Sequence, residues 1–106
     1  MYRGSKLVAW FFIFMAQKRL ECRIIGRVQM VMFRDFARRS ARSRDLVGFA
    51  KNNDDGSVTV VAEGEEEALN RFFLQLQRGS LLSRVEHIEA MWGEAKGEFS
   101  DFRIVY

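Results

Sequence analysis

The stretch GRVQMVMFR, residues 26–34, most narrows what this chain can fold into. Upstream of it, Leu20, Cys22, Ile24, Gly26 and Val28 alternate with Glu21, Arg23, Ile25 and Arg27, the period of a half-buried strand. Downstream, Phe33, Phe36, Ala37 and Ala41 recur at helical spacing, with Arg38, Arg39 and Arg42 on other faces. The motif therefore begins as strand and ends as helix. It also sets Arg34 just past the join and two methionines, Met30 and Met32, where a tight turn would ordinarily carry glycine.

The same reading extends along the chain. LVGFAKN, residues 46–52, is rich in strand formers and runs into Asn-Asn-Asp-Asp-Gly. The Asp-Gly pair followed by SVTVVAE marks a turn and a second, antiparallel strand. Gly64 and the glutamates 65–67 open a second helix, where negative charge meets the positive end of the dipole. Ala68, Leu69, Phe72 and Leu76 line one face of it, and Arg78-Gly79 is the stop signal. In SRVEHIEAMW the apolar positions Val85, Ile88, Ala90 and Trp92 slip in phase, which predicts a bulged strand. SDFRIVY closes the chain with Phe102, Ile104 and Tyr106 in strand phase.

Strand, helix, strand, strand, helix, strand is the split βαβ order. The expected fold class is α+β: a ferredoxin-like βαββαβ sandwich, an antiparallel sheet with two helices on one face and a short terminal strand. Residues 16–106 are expected to form one domain. Residues 1–15, with the apolar run LVAWFFIFMA behind a short basic stretch, fall outside that pattern. The run is too short for a membrane span, and Phe14-Met15-Ala16 is a poor signal-cleavage site. An N-terminal extension or mobile arm, with Met15 as a natural start, is the expectation; a secretory signal and a membrane-lying segment compete with it. Mass spectrometry of the N-terminus of cell-derived protein separates the three.

Charge is divided along the chain. Residues 1–51 carry 12 Lys/Arg against 3 Asp/Glu, and residues 52–106 carry 5 against 11. A positive half favours an anionic partner without naming it. Most of the arginine run reads as a solvated helix face. The lone Cys22 sits in an alternating apolar pattern as a small buried hydrophobe, and its solitude fits a reducing compartment. No phosphate-binding GxxxxGK[ST] loop, no spaced His/Cys clusters and no Ser/His/Asp set are present. The only histidine, His87, reads as a partly exposed sheet residue. Any chemistry must then run on arginine and amides. A strand-to-helix junction supplies them: the N–H groups of residues 29–33 can form an anion nest, and Arg34 in the first helical turn can reach back over it.

At this point the residues resemble a known family. GRVQMVMFR is similar to the acylphosphatase signature, approximately G-x-V-Q-G-V-x-F-R, and GFAKNNDDGSVTVVAEGEEEAL resembles its second signature. The likeness continues through LSRVEHIEAMW and GEFSDFRIVY, over about residues 18–106. It implies hydrolysis of acyl phosphates to carboxylate and inorganic phosphate, with no metal and no cofactor. It also implies that the amides of Gln29, Met30, Val31, Met32 and Phe33 cradle the phosphoryl group. Arg34 then binds its oxygens, and Asn52 positions the attacking water. Asn53 departs from the usual neighbour, but the spacing to Asp55-Gly56-Ser57-Val58 favours Asn52.

Met30 stands where the family pattern has glycine. If φ > 0 is required there, methionine costs roughly 1–2 kcal/mol; if glycine only gives room, the side chain can turn outward. An intact cradle is expected. The alternative reading is a catalytically weak phosphate-binding module, or an RNA-binding module of the same fold. RNA binding would require aromatic residues on the open face of the central strands, and positions 21, 23, 25, 27, 59, 61 and 63 offer none. A cytoplasmic monomer with small-molecule substrates, binding neither nucleic acid nor membrane, is the resulting expectation.

Overall fold

The computed structural model describes residues 17–106; the reading made of residues 1–15 lies outside them. Seven elements follow in order: β1 (Gln17–Arg27), α1 (Phe33–Arg42), β2 (Val47–Asn52), β3 (Val58–Glu65), α2 (Glu66–Arg78), β4 (Arg84–Glu94) and β5 (Phe102–Val105). The sheet runs β4-β1-β3-β2-β5. The pairs β1·β3, β1·β4 and β2·β3 are antiparallel, as the turn chemistry predicts. The sheet as a whole is mixed, however, because β5 lies parallel to β2, with Gly48 opposite Phe102 and Ala50 opposite Ile104. No hairpin joins those two strands; β3, α2 and β4 intervene, which leaves the parallel direction open.

The alternating residues of β1 do what their period requires. Leu20, Cys22 and Ile24 are buried on one face together with Val58, Val60 and Ala62 of β3 and Ala50 of β2. Both helices cover that face. α1 contributes Phe33, Ala37 and Ala41; α2 contributes Leu69, Phe72 and Leu76. Phe72 and Phe102 meet edge to face, 6.1 Å between centroids. Each such large side chain removed from water is worth about 1.5–3 kcal/mol. Burial pushes the Cys22 thiol up to about 12, so it is a packing group and no nucleophile at neutral pH.

The open face of the sheet is not bare. Glu63 is 3% exposed and pairs with Arg19 at 2.7 Å, while the N–H groups of Lys96 and Gly97 donate to the same carboxylate. Burial alone raises the Glu63 carboxyl, but the hydrogen bonds from Lys96, Arg19 and Gly97 outweigh it and hold the group below its ordinary value. These bonds draw the 95–101 segment across the sheet, where Phe99 stacks edge-on against Phe49 and under Arg19.

The predicted bulge lies on β4. Ile25 pairs with His87 but Gly26 pairs with Val85, so Glu86 is the extra residue. Gly26 has φ 136°, and a β-carbon there would sit 2.1 Å from the Arg84 carbonyl oxygen. Gly26→Ala is expected to destabilise the fold by about 2 kcal/mol or more. Denaturant unfolding should show a lower midpoint at unchanged slope; an unshifted midpoint would mean the bulge has other ways to relax.

Candidate active site

Because β1 and β2 are both antiparallel to β3, and β5 is parallel to β2, the C-terminal ends of β1, β2 and β5 emerge at one edge of the sheet. They deliver the junction loop, Asn52 and Tyr106 to one place. The N-terminus of α1 opens there as well. These elements enclose a cleft of about 400 Å³ whose lining includes Met30, Met32, Phe33, Arg34, Asn52 and Tyr106.

Residues 28–33 owe their path to anchors on either side. Val28 and Phe33 are both 1% exposed. Between them the backbone turns left-handed twice, at Met30 (φ 59°) and Met32 (φ 58°), with Val31 between. Among the described residues none of the N–H groups of residues 29–32 donates to another protein group. Alternating handedness of this kind directs successive N–H groups into one concavity, an anion nest. Met32 is the residue flanking α1, its carbonyl accepting from the Phe36 N–H at 3.0 Å. The unpaired N–H groups of the first helical turn and the helix dipole add positive potential at the same spot.

The first of the two readings of Met30 therefore holds as regards the backbone: the position does need φ > 0. The side chain also turns outward, being fully exposed. Gln29 and Val31 contribute backbone to the loop but do not line the cleft. Val31 packs against the core. The Gln29 side chain instead donates to the carbonyl oxygens of Asn53 (2.8 Å) and Ser57 (2.9 Å), tying the junction loop to the β2–β3 turn. That tether was not read from the sequence, where Gln29 figured only through its amide.

Arg34 stands over the Tyr106 ring, 4.9 Å from its centroid. Among the described residues it has no carboxylate partner, because Asp35 next to it is taken by Arg38 and Arg39. The hydrogen bond from Arg38 is the leading cause that holds Asp35 below its ordinary value. Arg34 is thus kept in place by a ring and free to meet an anion. The two asparagines divide their work. Asn53 donates to Ser57 Oγ (2.9 Å) and Thr59 Oγ1 (2.8 Å) inside the turn. Asn52 borders the cleft, and its Oδ1 is buried without a hydrogen-bond partner. A buried acceptor left unmet costs about 1–3 kcal/mol. His87 lies exposed on the edge strand, away from the cleft. Among the described residues no group of three or more His, Cys, Asp or Glu is arranged to hold a metal ion.

Asp55 organises the turn that carries both asparagines. It accepts from Ser57 Oγ at 2.5 Å and Ser57 N–H at 3.0 Å, and it pairs with Arg23. The Ser57 hydroxyl first, then Arg23, hold its carboxyl well below the ordinary carboxylate range. A depressed folded-state value adds stability above the unfolded value near pH 4 and loses it as pH falls toward the folded one. Asp55→Asn should therefore lower Tm at pH 7, with the gap from the unmutated chain shrinking progressively as pH falls below about 4. A gap independent of pH would contradict this. Met30 supplies a second check. Left-handed backbone costs a non-glycine residue about 1–2 kcal/mol, and the freedom glycine loses on folding costs about 0.5–1. Met30→Gly is expected to raise stability by about 0.5–1 kcal/mol in chemical denaturation; a loss would mean the methionine side chain itself stabilises the loop.

Comparison with known proteins places the sequence and the fold. Residues 20–104 match the family model described as Acylphosphatase. The acylphosphatase of Salinibacter ruber is 42% identical over 88 residues, spanning 83% of this chain and 93% of that protein. That of Thermus thermophilus is 48% identical over 79 residues, spanning 74% and 90%. Among solved structures, the acylphosphatase from Bacillus subtilis superposes with a TM-score of 0.81 at 38% identity, covering 84% of this chain and 99% of its own. A full-length HypF, in its phosphate- and nucleotide-bound form, matches with a TM-score of 0.78 at 31% identity, and the likeness covers 12% of that longer chain. On the family model, the relatives and the shared fold together, the chain belongs to the acylphosphatase family.

Proposed function

We propose that acyl phosphate hydrolysis, the reaction of this family, runs here on Arg34, Asn52 and the backbone amides of Gln29, Met30, Val31, Met32 and Phe33. The observation that carries the assignment is one cleft bordered by a guanidinium without a carboxylate partner and an amide with an unmet acceptor. The nest amides and the planar fork of Arg34 take the phosphoryl oxygens, whose negative charge is what the transition state must spread. Asn52 orients the water through its amide, with no proton of its own to give. The water oxygen forms the new bond to phosphorus as the bond to the acyl oxygen breaks. The carboxylate departs with that electron pair, and a phosphoryl oxygen takes the proton from the water. Since a carboxylate is a good leaving group, little acid catalysis is needed, and alignment plus charge stabilisation supply the rate.

The enzyme is read as a cytoplasmic monomer that needs no metal and binds neither nucleic acid nor membrane. A single cysteine, buried and unpaired, supports the reducing compartment. No helix among the described residues is long and apolar enough to cross a membrane. The sheet face that would stack bases carries the Arg19–Glu63 and Arg23–Glu89 pairs instead, and Phe49 there is engaged by Phe99.

Phosphate release from acetyl phosphate in excess chelator tests the assignment. Arg34→Ala and Asn52→Ala should each lower kcat by at least ~10²-fold, by analogy with loss of a single oxyanion donor. Unchanged turnover in either variant would remove that residue from the mechanism. Turnover that vanishes with chelator would require a metal after all.

A further inference from the structure

The two methionines of the junction loop are not explained by phosphate binding. The nest uses only their N–H groups, yet each carries a long apolar side chain out into water. Met30 is 100% exposed and Met32 is 73% exposed. Both positions hold left-handed backbone, where a glycine would be unstrained. Neither side chain belongs to the core cluster or packs against it. What they share is the cleft, together with Ile104 and Tyr106.

We propose that Met30 and Met32 form an apolar lip that holds the acyl chain, so that this enzyme favours acyl phosphates with longer unbranched apolar acyl groups. The inference rests on residues 29–33 being the phosphate cradle. If the phosphoryl group sits on those amides, the anhydride bond points out of the nest, and the first carbons of the acyl group pass the side chains of the same residues. Those side chains are unbranched thioethers that adapt to an irregular apolar partner. The charged residues lining this cleft are Arg34, which the phosphoryl group engages in this reading, and Asp35 and Arg38, which pair with each other, so no further unpaired charge there favours a second carboxylate on the acyl group. Tyr106, with Arg34 over one face of its ring, lines the same cleft as the two methionines. Chain length is therefore what this lip reads. Full burial of a methylene is worth about fourfold in binding, and an open cleft that shields one side should yield about twofold.

The test is kcat/KM for acetyl, butyryl and hexanoyl phosphate with the unmutated chain, with Met30→Gln and Met32→Gln singly, and with both together. Glutamine keeps the length and the unbranched Cβ but makes the end polar. Ratios taken within each variant cancel any change in folded fraction or in cradle rate. The unmutated enzyme should gain about 16-fold from acetyl to hexanoyl, four methylenes at ~2-fold each, and the double variant should hold all three within about threefold. A slope that survives both substitutions, or no slope in the unmutated enzyme that still turns over acetyl phosphate, would overturn the lip while leaving the cradle standing. No turnover of any of the three by the unmutated enzyme would overturn the cradle reading and the lip with it.

Discussion

The hydrogen-bonded ladder of β1 is what the rest of the molecule depends on. β1 is the one strand that pairs with both β3 and β4, and its buried residues Leu20, Cys22 and Ile24 form the middle of the core. It then runs without a connector into the junction loop. A one-residue slip of its register would turn that apolar set to the open face and move the loop with it. The bulge opposite Gly26 locks the register at the site end, where the slip would do most harm. Fold and site thus share one constraint. The two are not separable functions laid on a neutral scaffold.

The junction loop is fixed at its ends by burial and in its middle by a single polar tether. Val28 and Phe33 cannot leave the core without losing about 1.5–3 kcal/mol each. Gln29 adds two hydrogen bonds to the β2–β3 turn, each worth about 0.5–1.5 kcal/mol net. The turn is in turn pinned by Asp55 and by Asn53. Amides and asparagine therefore hold their relative positions through a chain of short contacts, Asn52–Asn53–Gln29. Such preorganisation is what an enzyme that relies on alignment requires.

Local pattern carried most of the fold into view before the structure. Period 2 marked β1, the Asp-Gly turn marked β3, period 3.6 marked both helices, and the phase slip at Val85–Ile88 announced the bulge. Of the candidate site residues, Arg34 was reached from its place in the first helical turn and Asn52 only through the family resemblance; both line one cleft. Three features stayed hidden because each depends on partners far away in the chain. The parallel direction of β5 follows from where the chain returns after β4. The burial of Glu63, in a position that reads as an outward sheet residue, depends on the 95–101 segment folding over it. The Gln29 tether depends on a turn 24 residues further on. Backbone handedness at Met30 and Met32 was hidden for a different reason: methionine does not advertise φ > 0, whereas glycine would have.

That handedness bears on how much strain the loop holds. Two non-glycine residues in left-handed backbone amount to about 2–4 kcal/mol, a sizeable share of the 5–15 kcal/mol that holds a domain of this size together. Strain of this order persists only where surrounding contacts over-determine the conformation. Here the buried ends and the Gln29 tether do so: relaxing Met30 to φ < 0 would rotate the peptide planes beside it and pull Val28 or Phe33 from the core. The rotation would also turn the N–H groups of the nest away from one another. Against this, each factor of ten in rate is worth 1.36 kcal/mol. A nest that contributes even two to three factors of ten to phosphoryl stabilisation matches the whole strain. The loop can therefore carry methionine where glycine would fold more easily, provided the side chain does something at the cleft that glycine cannot.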